Sequence, residues 1–300
     1  MNTDRGSSLV FWVFLTPVLF AFVMVILVPF FLGVFYSFTN WSSSAGSGEG
    51  LKFTGLTNFI NSFQDPSFLY SFIVTFIYTV INVFVLNGVA LLLALMVTSR
   101  LRLRNIYRVG FFVPNLIGGL ILGYIWQFIF NAAIPALGGF LADPNNLILR
   151  KTGSSVLALV AVGTWQYAGY IMMIYIAAIE GVPQELIEAA KIDGASGFRR
   201  FRNVTVPMIA QAFTITLFLT LVNSFKQFDV NVSLTAGGPS TIFMGRPIYS
   251  TELLALHIYN TAFASNHLAM GQARAVIFFI VLVIISTIQV RANKRAEVEA

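Results

Sequence analysis

The sequence predicts an all-α fold, a polytopic transmembrane helical bundle of six spans, on three observations. Of its 300 residues, 57% are hydrophobic and 15% aromatic, while only 10% are charged; an ordinary soluble domain carries about 25% charged residues. Mean hydropathy is +0.81, which would expose far more hydrocarbon than a water-facing surface tolerates. The charges are also segregated, so that uncharged runs of roughly the 20 residues needed to cross a bilayer alternate with short basic segments. Six such spans and their loops use up the length, so residues 1–300 are expected to form a single transmembrane domain. The chain has no Cys, which excludes disulfides, thiolate metal sites and cysteine nucleophiles.

The expected spans run from Leu9 to about Phe38, Phe68 to Thr98, Val109 to about Phe130, Val156 to Ile179, Val206 to Phe225, and Ala275 to Val290. The first run is longer than a span needs, so its ends leave the hydrocarbon or the helix tilts. It also exceeds a signal-peptide core and lacks a small-residue cleavage site after it, so it is expected to be retained. A polar Ser/Gly-rich loop, Asn40 to Glu49, follows it.

Six spans put both termini on one side. That side holds Arg5, then Arg100, Arg102, Arg104 and Arg108, then Lys191, Arg199, Arg200 and Arg202, and finally Arg291, Lys294 and Arg295. The opposite side holds only Lys52, Arg150, Lys151, Lys226 and Arg246, with Arg274 at the mouth of the sixth span. Such a bias places both termini in the cytoplasm. Topology alone accounts for the Arg100 to Arg108 group without any bound partner. In the third span Gly119 and Gly123 form a GxxxG step, with Gly118 widening the small face. The step is either a moving interface or simply a place where helices touch.

One cytoplasmic loop differs in kind. Between the fourth and fifth spans, Pro183 suits a helix's first turn and Glu185 suits the positive end of its dipole, so a short helix is expected from Pro183 to Asp193. Gly194 stops it. Leu186, Ile187, Ala190 and Ile192 give it an apolar side, while Ala189, Ala190 and Gly194 leave a surface of little bulk. A second start follows at Ser196, with Phe198 and Phe201 beneath Arg199, Arg200 and Arg202.

Glu188-Ala189-Ala190, three residues, Gly194, nine residues, and Val204-x-Val206-Pro207 together resemble the EAA signature of membrane subunits of bacterial ABC importers. That pattern is EAA, three residues, G, nine residues, then I-x-L-P, and only Val204 for Ile and Val206 for Leu depart from it. The wording from Ile179 to Ala195 is similar to the carbohydrate-uptake branch, the family of maltose, glycerol-phosphate and oligosaccharide permeases. Phe228-Asp229 and Leu234-Thr-Ala-Gly-Gly-Pro239 resemble the first of the two permease subunits of that branch.

The resemblance implies a type I ABC importer permease fold and a permease subunit of an ATP-driven, binding-protein-dependent sugar importer in a bacterial cell membrane. It implies that 183–204 forms a coupling-helix loop docked on an ATPase. Glu188 would make a polar contact there, Ala189, Ala190 and Gly194 would allow close docking, and Asp193 and Pro207 would shape the loop's exit. It further implies a second, homologous permease subunit, two ATPase subunits and an extracytoplasmic sugar-binding protein as partners. ATP and Mg2+ would act on the ATPases, leaving no cofactor, metal or catalytic residue in this chain and no nucleic acid as partner. The Gly- and Pro-rich outer segment from Thr235 to Pro247 would face the binding protein, with a plain solvated loop as the alternative.

Polar groups inside spans line a path or join helices. The candidates are Asn82 and Asn87 in the second span; Asn115, Tyr124, Trp126 and Gln127 in the third; and Trp165, Gln166, Tyr167 and Tyr170 in the fourth. At the end of the fifth span, Asn223, Phe225, Lys226, Gln227, Phe228 and Asp229 form the densest cluster. Aromatic faces and amides suit sugars, which present apolar C–H faces and a rim of hydroxyls. Lys226 and Asp229 fit equally a salt bridge outside the hydrocarbon.

Two other function classes fit less well. A stand-alone secondary transporter of small polar solutes needs ion-coupling groups in mid-span, and none stands at the span centres. An intramembrane enzyme is not supported: His257 and His267 lie ten apart without ligand spacing and are expected to be loop histidines, and neither HExxH nor GxSxG occurs. The absence of GxxxxGK[ST] places any nucleotide site on another polypeptide.

Overall fold

Long apolar helices, interrupted at prolines, dominate the structure, a computed structural model describing residues 3–42, 50–99, 101–139, 143 and 146–294. Most of the Asn40 to Glu49 loop, Arg100 and Arg295 lie outside the described residues, as does the Arg5 side chain. In chain order the helices are α1 (Thr3–Phe22), α2 (Val28–Tyr36), α3 (Thr57–Gln64), α4 (Pro66–Thr98), α5 (Arg104–Phe112), α6 (Gly119–Phe128) and α7 (Ile134–Ala136). They continue with α8 (Thr152–Glu180), α9 (Gln184–Ile192), α10 (Gly197–Arg200), α11 (Val206–Met208), α12 (Ala210–Phe225) and α13 (Asp229–Leu234). Strands β1 (Ser240–Phe243) and β2 (Arg246–Tyr249) precede α14 (Leu254–Tyr259) and α15 (Leu268–Lys294).

Five stretches are long and apolar enough to cross a bilayer: Val10–Tyr36, Pro66–Thr98, Gly119–Ala136, Thr152–Glu180 and Leu268–Asn293. A sixth is the pair Gly197–Met208 and Ala210–Phe225, bent by 71°. The expected spans thus reappear, with corrections. The third does not run from Val109: α5 ends at Phe112, a 3-10 turn occupies Val113–Leu116, and the spanning helix starts at Gly119. Pro114, in that turn, has no N–H to donate and cannot continue the α-helix. The fifth bends where Ile209 leaves helical geometry, two residues after Pro207. The sixth begins at Leu268 rather than Ala275, so Arg274 lies within the helix and is buried instead of standing at its mouth.

Two compact units divide the chain, one of Met1–Gln64 and Ile258–Phe278, the other of Asp65–His257 and Phe279–Ala300. In the first, no hydrophobic residue of the span Val10–Tyr36 is buried. Beyond its end, the Asn58 Nδ2 donates to the carbonyls of Ser37 (2.9 Å) and Thr39 (2.8 Å), and Tyr36 stacks on Trp41 at 4.4 Å between centroids. The Arg274 Nη1 donates to the Thr261 hydroxyl at 2.6 Å, a buried partner for a buried cation.

The second unit packs α4 against α8 and α12. Ala90, Ala94 and Val97 recur on one face of α4 and are fully buried, so small residues admit the close backbone approach that membrane packing relies on. The GxxxG step is likewise a contact: a Cβ on Gly119 would lie 2.8 Å from the Asp229 Cβ, and one on Gly123 would lie 1.8 Å from the Ser233 Oγ. Gly118 does not widen that face, because it precedes α6 and nothing stands within 4 Å of where its Cβ would be.

The segment from Thr235 onward, expected on the outer side, is a structured hairpin. β1 and β2 pair antiparallel, Ser240 opposite Tyr249, through a turn in which Met244 (φ 50) and Gly245 (φ 76) both take the positive φ of a tight two-residue hairpin. Its base is held by the Leu234–Pro239 stretch: the Thr251 hydroxyl bonds the Gly238 carbonyl (2.5 Å) and the Thr235 hydroxyl (2.9 Å), and the Asn231 side chain bonds Thr251 O and Leu253 N.

Candidate functional site

The segment after α8 is a helix, a tight turn and a second helix start. Pro183 is the residue before α9 rather than part of its first turn, and Glu185 stands in that turn. At the other end Gly194 takes φ +73, and the amides of Ala195 and Gly194 return to the carbonyls of Ala190 (2.9 Å) and Lys191 (3.0 Å). Those bonds form the left-handed C-terminal cap that favours glycine. The Ser196 hydroxyl then accepts from Arg199 N at 3.4 Å, starting α10.

Among the described residues, one edge of α9 meets the rest of the chain. Ile187 packs against the core cluster containing Ile176, Val182 and Ile209, and Ala190 is half-buried. Glu188, Ala189, Asp193 and Gly194 are exposed. So are the large apolar residues Leu186, Ile192 at 88% and Phe198 at 73%. Pro207, half-buried, stands in α11 just before the 71° bend. A knob of small, acidic and apolar residues therefore projects beyond the membrane helices, anchored at its root by the inner edge of α9.

The polar residues of the spans sort into two groups. One joins helices. The Asn87 Nδ2 donates to the Thr220 hydroxyl at 3.1 Å, the Tyr175 hydroxyl donates to the Asn87 Oδ1 at 3.1 Å, and the Thr216 hydroxyl donates to the Tyr175 oxygen at 2.7 Å. Thr216, Thr220 and Ser224 repeat every four residues, so their hydroxyls share one buried face of α12. Gln166 and Gln127 also act as ties, donating to the carbonyls of Ile117 (3.0 Å) and Leu234 (3.1 Å).

The other group converges on a crevice between α4, α8 and α12. Tyr167, Tyr170, Asn223 and Gln227 line it with Asn82. The Asn82 Nδ2 donates to Ser224 Oγ at 2.8 Å, while its buried Oδ1 has no hydrogen-bond partner among the described residues. The open space is about 10 Å³, room for a single water, so the crevice is shut to anything as large as a sugar ring in this conformation. Its chemistry is three tyrosine rings, those of Tyr78, Tyr167 and Tyr170, beside amide donors and acceptors.

Residues 87–298 match the family described as the binding-protein-dependent transport system inner membrane component. The chain belongs to that family. This transport component is 44% identical over 298 residues to the probable starch degradation products transport system permease protein AmyD of Thermoanaerobacterium thermosulfurigenes, covering 96% of this chain and 95% of that one. It is 29% identical over 289 residues to the multiple sugar-binding transport system permease protein MsmF of Streptococcus mutans, covering 96% of each. It is 32% identical over 254 residues to the sn-glycerol-3-phosphate transport system permease protein UgpA of Agrobacterium fabrum, covering 81% and 82%. Among solved structures, a bacterial ABC transporter that imports the acidic polysaccharide alginate superposes with a TM-score of 0.79 over 97% of both chains. At 17% identity this is a likeness of fold. The inner membrane component thus has the type I ABC importer permease fold and is a multi-pass membrane protein.

Several expected site residues of this permease stand apart from the crevice. Phe225 is buried in the core, while Lys226 and Asp229 are exposed and form no ion pair with each other. The Lys226–Asp229 salt bridge, the alternative to a path-lining role, is therefore not made, because Asp229 lies at the start of α13, against Gly119 of α6. Asn115 is half-buried in the 3-10 turn before α6. Sequence reasoning missed Tyr78, Thr220 and Ser224, which also line the crevice; the four-residue spacing of the α12 hydroxyls was the one legible signal, and it concerned Thr220 and Ser224 only when read together with Thr216. His257 is not a loop histidine: it is buried in α14 with its Nδ1 3.0 Å from the Glu252 Oε2. His267 does lie in a loop.

Proposed function

We propose that this chain is the permease subunit of an ATP-driven, binding-protein-dependent importer of oligosaccharides, with starch-derived α-glucans as the substrate class. The observation that carries the coupling role is the projecting α9–α10 knob, whose apolar residues Ile192 and Phe198 are left exposed by the described residues. A groove on a separate ATPase subunit would cover them. Ala189 and Gly194 allow close approach there, Glu188 offers a polar contact, and Asp193 and Pro207 set the exit towards the bent fifth span. Closure of an ATPase pair would then pull on α9, which is packed through Ile187 onto the same cluster as α8 and Ile209. Movement at the knob would thereby reach the α4–α8–α12 crevice.

The substrate path follows from the crevice. Tyr167 and Tyr170 offer rings to the C–H faces of a sugar, and Asn82, Asn223 and Gln227 offer amides to its hydroxyls. The names borne by the 44% and 29% identical relatives support a carbohydrate over other polar solutes. With the Arg-rich ends in the cytoplasm, both termini and the knob face the ATPases, and the β1–β2 hairpin faces an extracytoplasmic binding protein. A second, homologous permease completes the path.

Proteoliposomes containing the assembled transporter test this reading. Labelled maltotriose should enter only with ATP on the knob side and binding protein on the hairpin side. Uptake by this chain alone, without ATP, would instead establish a stand-alone transporter.

A further inference from the structure

We propose that the apolar crevice between α4, α5 and α8 holds an acyl chain of an anionic phospholipid whose headgroup meets Arg102 and Arg104. Val89 and Leu93 of α4, Phe111 of α5, Pro114, and Trp165 and Ala168 of α8 line a space of about 490 Å³. It lies on the opposite side of α8 from Tyr167 and Tyr170 and arises where the chain breaks from helical geometry at Pro114.

Its depth suits a lipid tail. Leu93 is five residues from the end of α4, about 7.5 Å at the helical rise of 1.5 Å per residue, and Phe111 is seven residues from the start of α5, about 10 Å. The space therefore lies within about 10 Å of the end of α4 and the start of α5, beside the segment that holds Arg102 and Arg104. A helix some 10 Å across fills about 420 Å³ per 5.4 Å turn, so the crevice seats little more than one turn of a neighbouring helix. A thin flexible chain fits its size better.

The headgroup end carries the charge. Arg108 is paired with Glu180. Arg102 and Arg104, by contrast, are exposed and make no hydrogen bond or ion pair among the described residues. Leu101, Leu103, Ile106 and Val109 are exposed around them. Cations over an apolar surface at the end of a span form an interfacial element, and each arginine favours an anionic headgroup.

Trp165 lines the crevice at 44% exposure, so it reports the occupant directly. The assembled transporter is reconstituted in phosphatidylcholine vesicles doped with brominated phosphatidylglycerol or brominated phosphatidylcholine. Subtracting the fluorescence of a Trp165→Phe transporter isolates the Trp165 signal. Brominated phosphatidylglycerol should quench it at roughly 30-fold lower mole fraction than the zwitterionic lipid, the preference expected of two interfacial cations. Arg102→Gln with Arg104→Gln should erase the preference. So should about 1 M salt, which shortens the screening length to about 3 Å without altering the protein. Equal quenching by the two lipids would overturn the headgroup assignment. No quenching by either would mean that protein fills the crevice and would overturn the proposal outright, whatever sugar the transporter carries.

Discussion

The Tyr175 hydroxyl donates to the Asn87 Oδ1 at 3.1 Å, tying the fourth span to the second across 88 residues of sequence. Asn87 also donates to Thr220, so one amide holds three helices in register. Within a bilayer such a contact contributes about 0.6 kcal/mol on average and up to about 1.7. Asn87→Ala should destabilise the purified transporter by an amount in that range, measured as a lowered thermal denaturation midpoint, with inserted protein still present. A midpoint unchanged from wild type would mean that the tie contributes nothing to holding the three spans together.

Gly123 faces Ser233 so closely that any side chain at 123 collides with it. Gly123→Ala should cost about 1–3 kcal/mol of stability as α6 is pushed from α13. Ser233→Gly in the same chain should restore part of that loss, because the Ser233 side-chain atoms at 1.8 and 2.8 Å are gone while the Leu234 nitrogen at 3.1 Å remains. Gly118→Ala, with nothing within 4 Å, should be neutral. If all three variants melt alike, α6 and α13 do not pack as described.

Gly194 combines a φ of +73 with an exposed position at the knob, where nothing stands within 4 Å of an added Cβ. Gly194→Asp places a β-carbon in left-handed geometry, at a cost of order 1–3 kcal/mol locally, and adds charge to a docking surface. The subunit should insert normally, lose its co-purifying ATPase and show no uptake. Normal uptake would defeat the coupling assignment. Ile192→Ser, which leaves the backbone untouched, should weaken ATPase retention in the same direction.

Removing one amide from the crevice should affect translocation and leave ATPase docking intact. Asn223→Ala or Gln227→Ala leaves a sugar hydroxyl unpaired, about 1–1.5 kcal/mol for a neutral hydrogen bond, hence roughly a tenfold loss of uptake. ATPase activity stimulated by the loaded binding protein should stay near wild type. A parallel fall of both activities would point to a folding defect at α12 instead.

Hydropathy fixed the number of spans because it is a local sum. The end of α9 at the positive-φ Gly194 and the start of α10 at Ser196 were equally legible, since both act through bonds between residues only three to five positions apart. Proline effects were only partly readable: Pro114 and Pro207 mark the breaks, yet whether a helix kinks, ends or restarts depends on its neighbours. Tyr78 and Ser224 escaped notice because a single hydroxyl in an apolar run says nothing about where it points. The Glu252–His257 pair escaped for the same reason, as its burial is created by elements such as Phe68 from far along the chain.

By itself the sequence determined that this chain lives in a bilayer, where its helices begin and end to within a turn in most cases, and which loop departs from the others in composition. Only the tertiary structure decided that Asn87 joins helices while Asn223 and Gln227 meet Tyr167 and Tyr170 at a crevice, and that Lys226 and Asp229 stay apart. The reason is rotational phase. A span that is apolar all round has no preferred inner face in its composition, so the direction of each rare polar group is set by small-residue contacts such as Gly123 on Ser233, made across a hundred residues of chain.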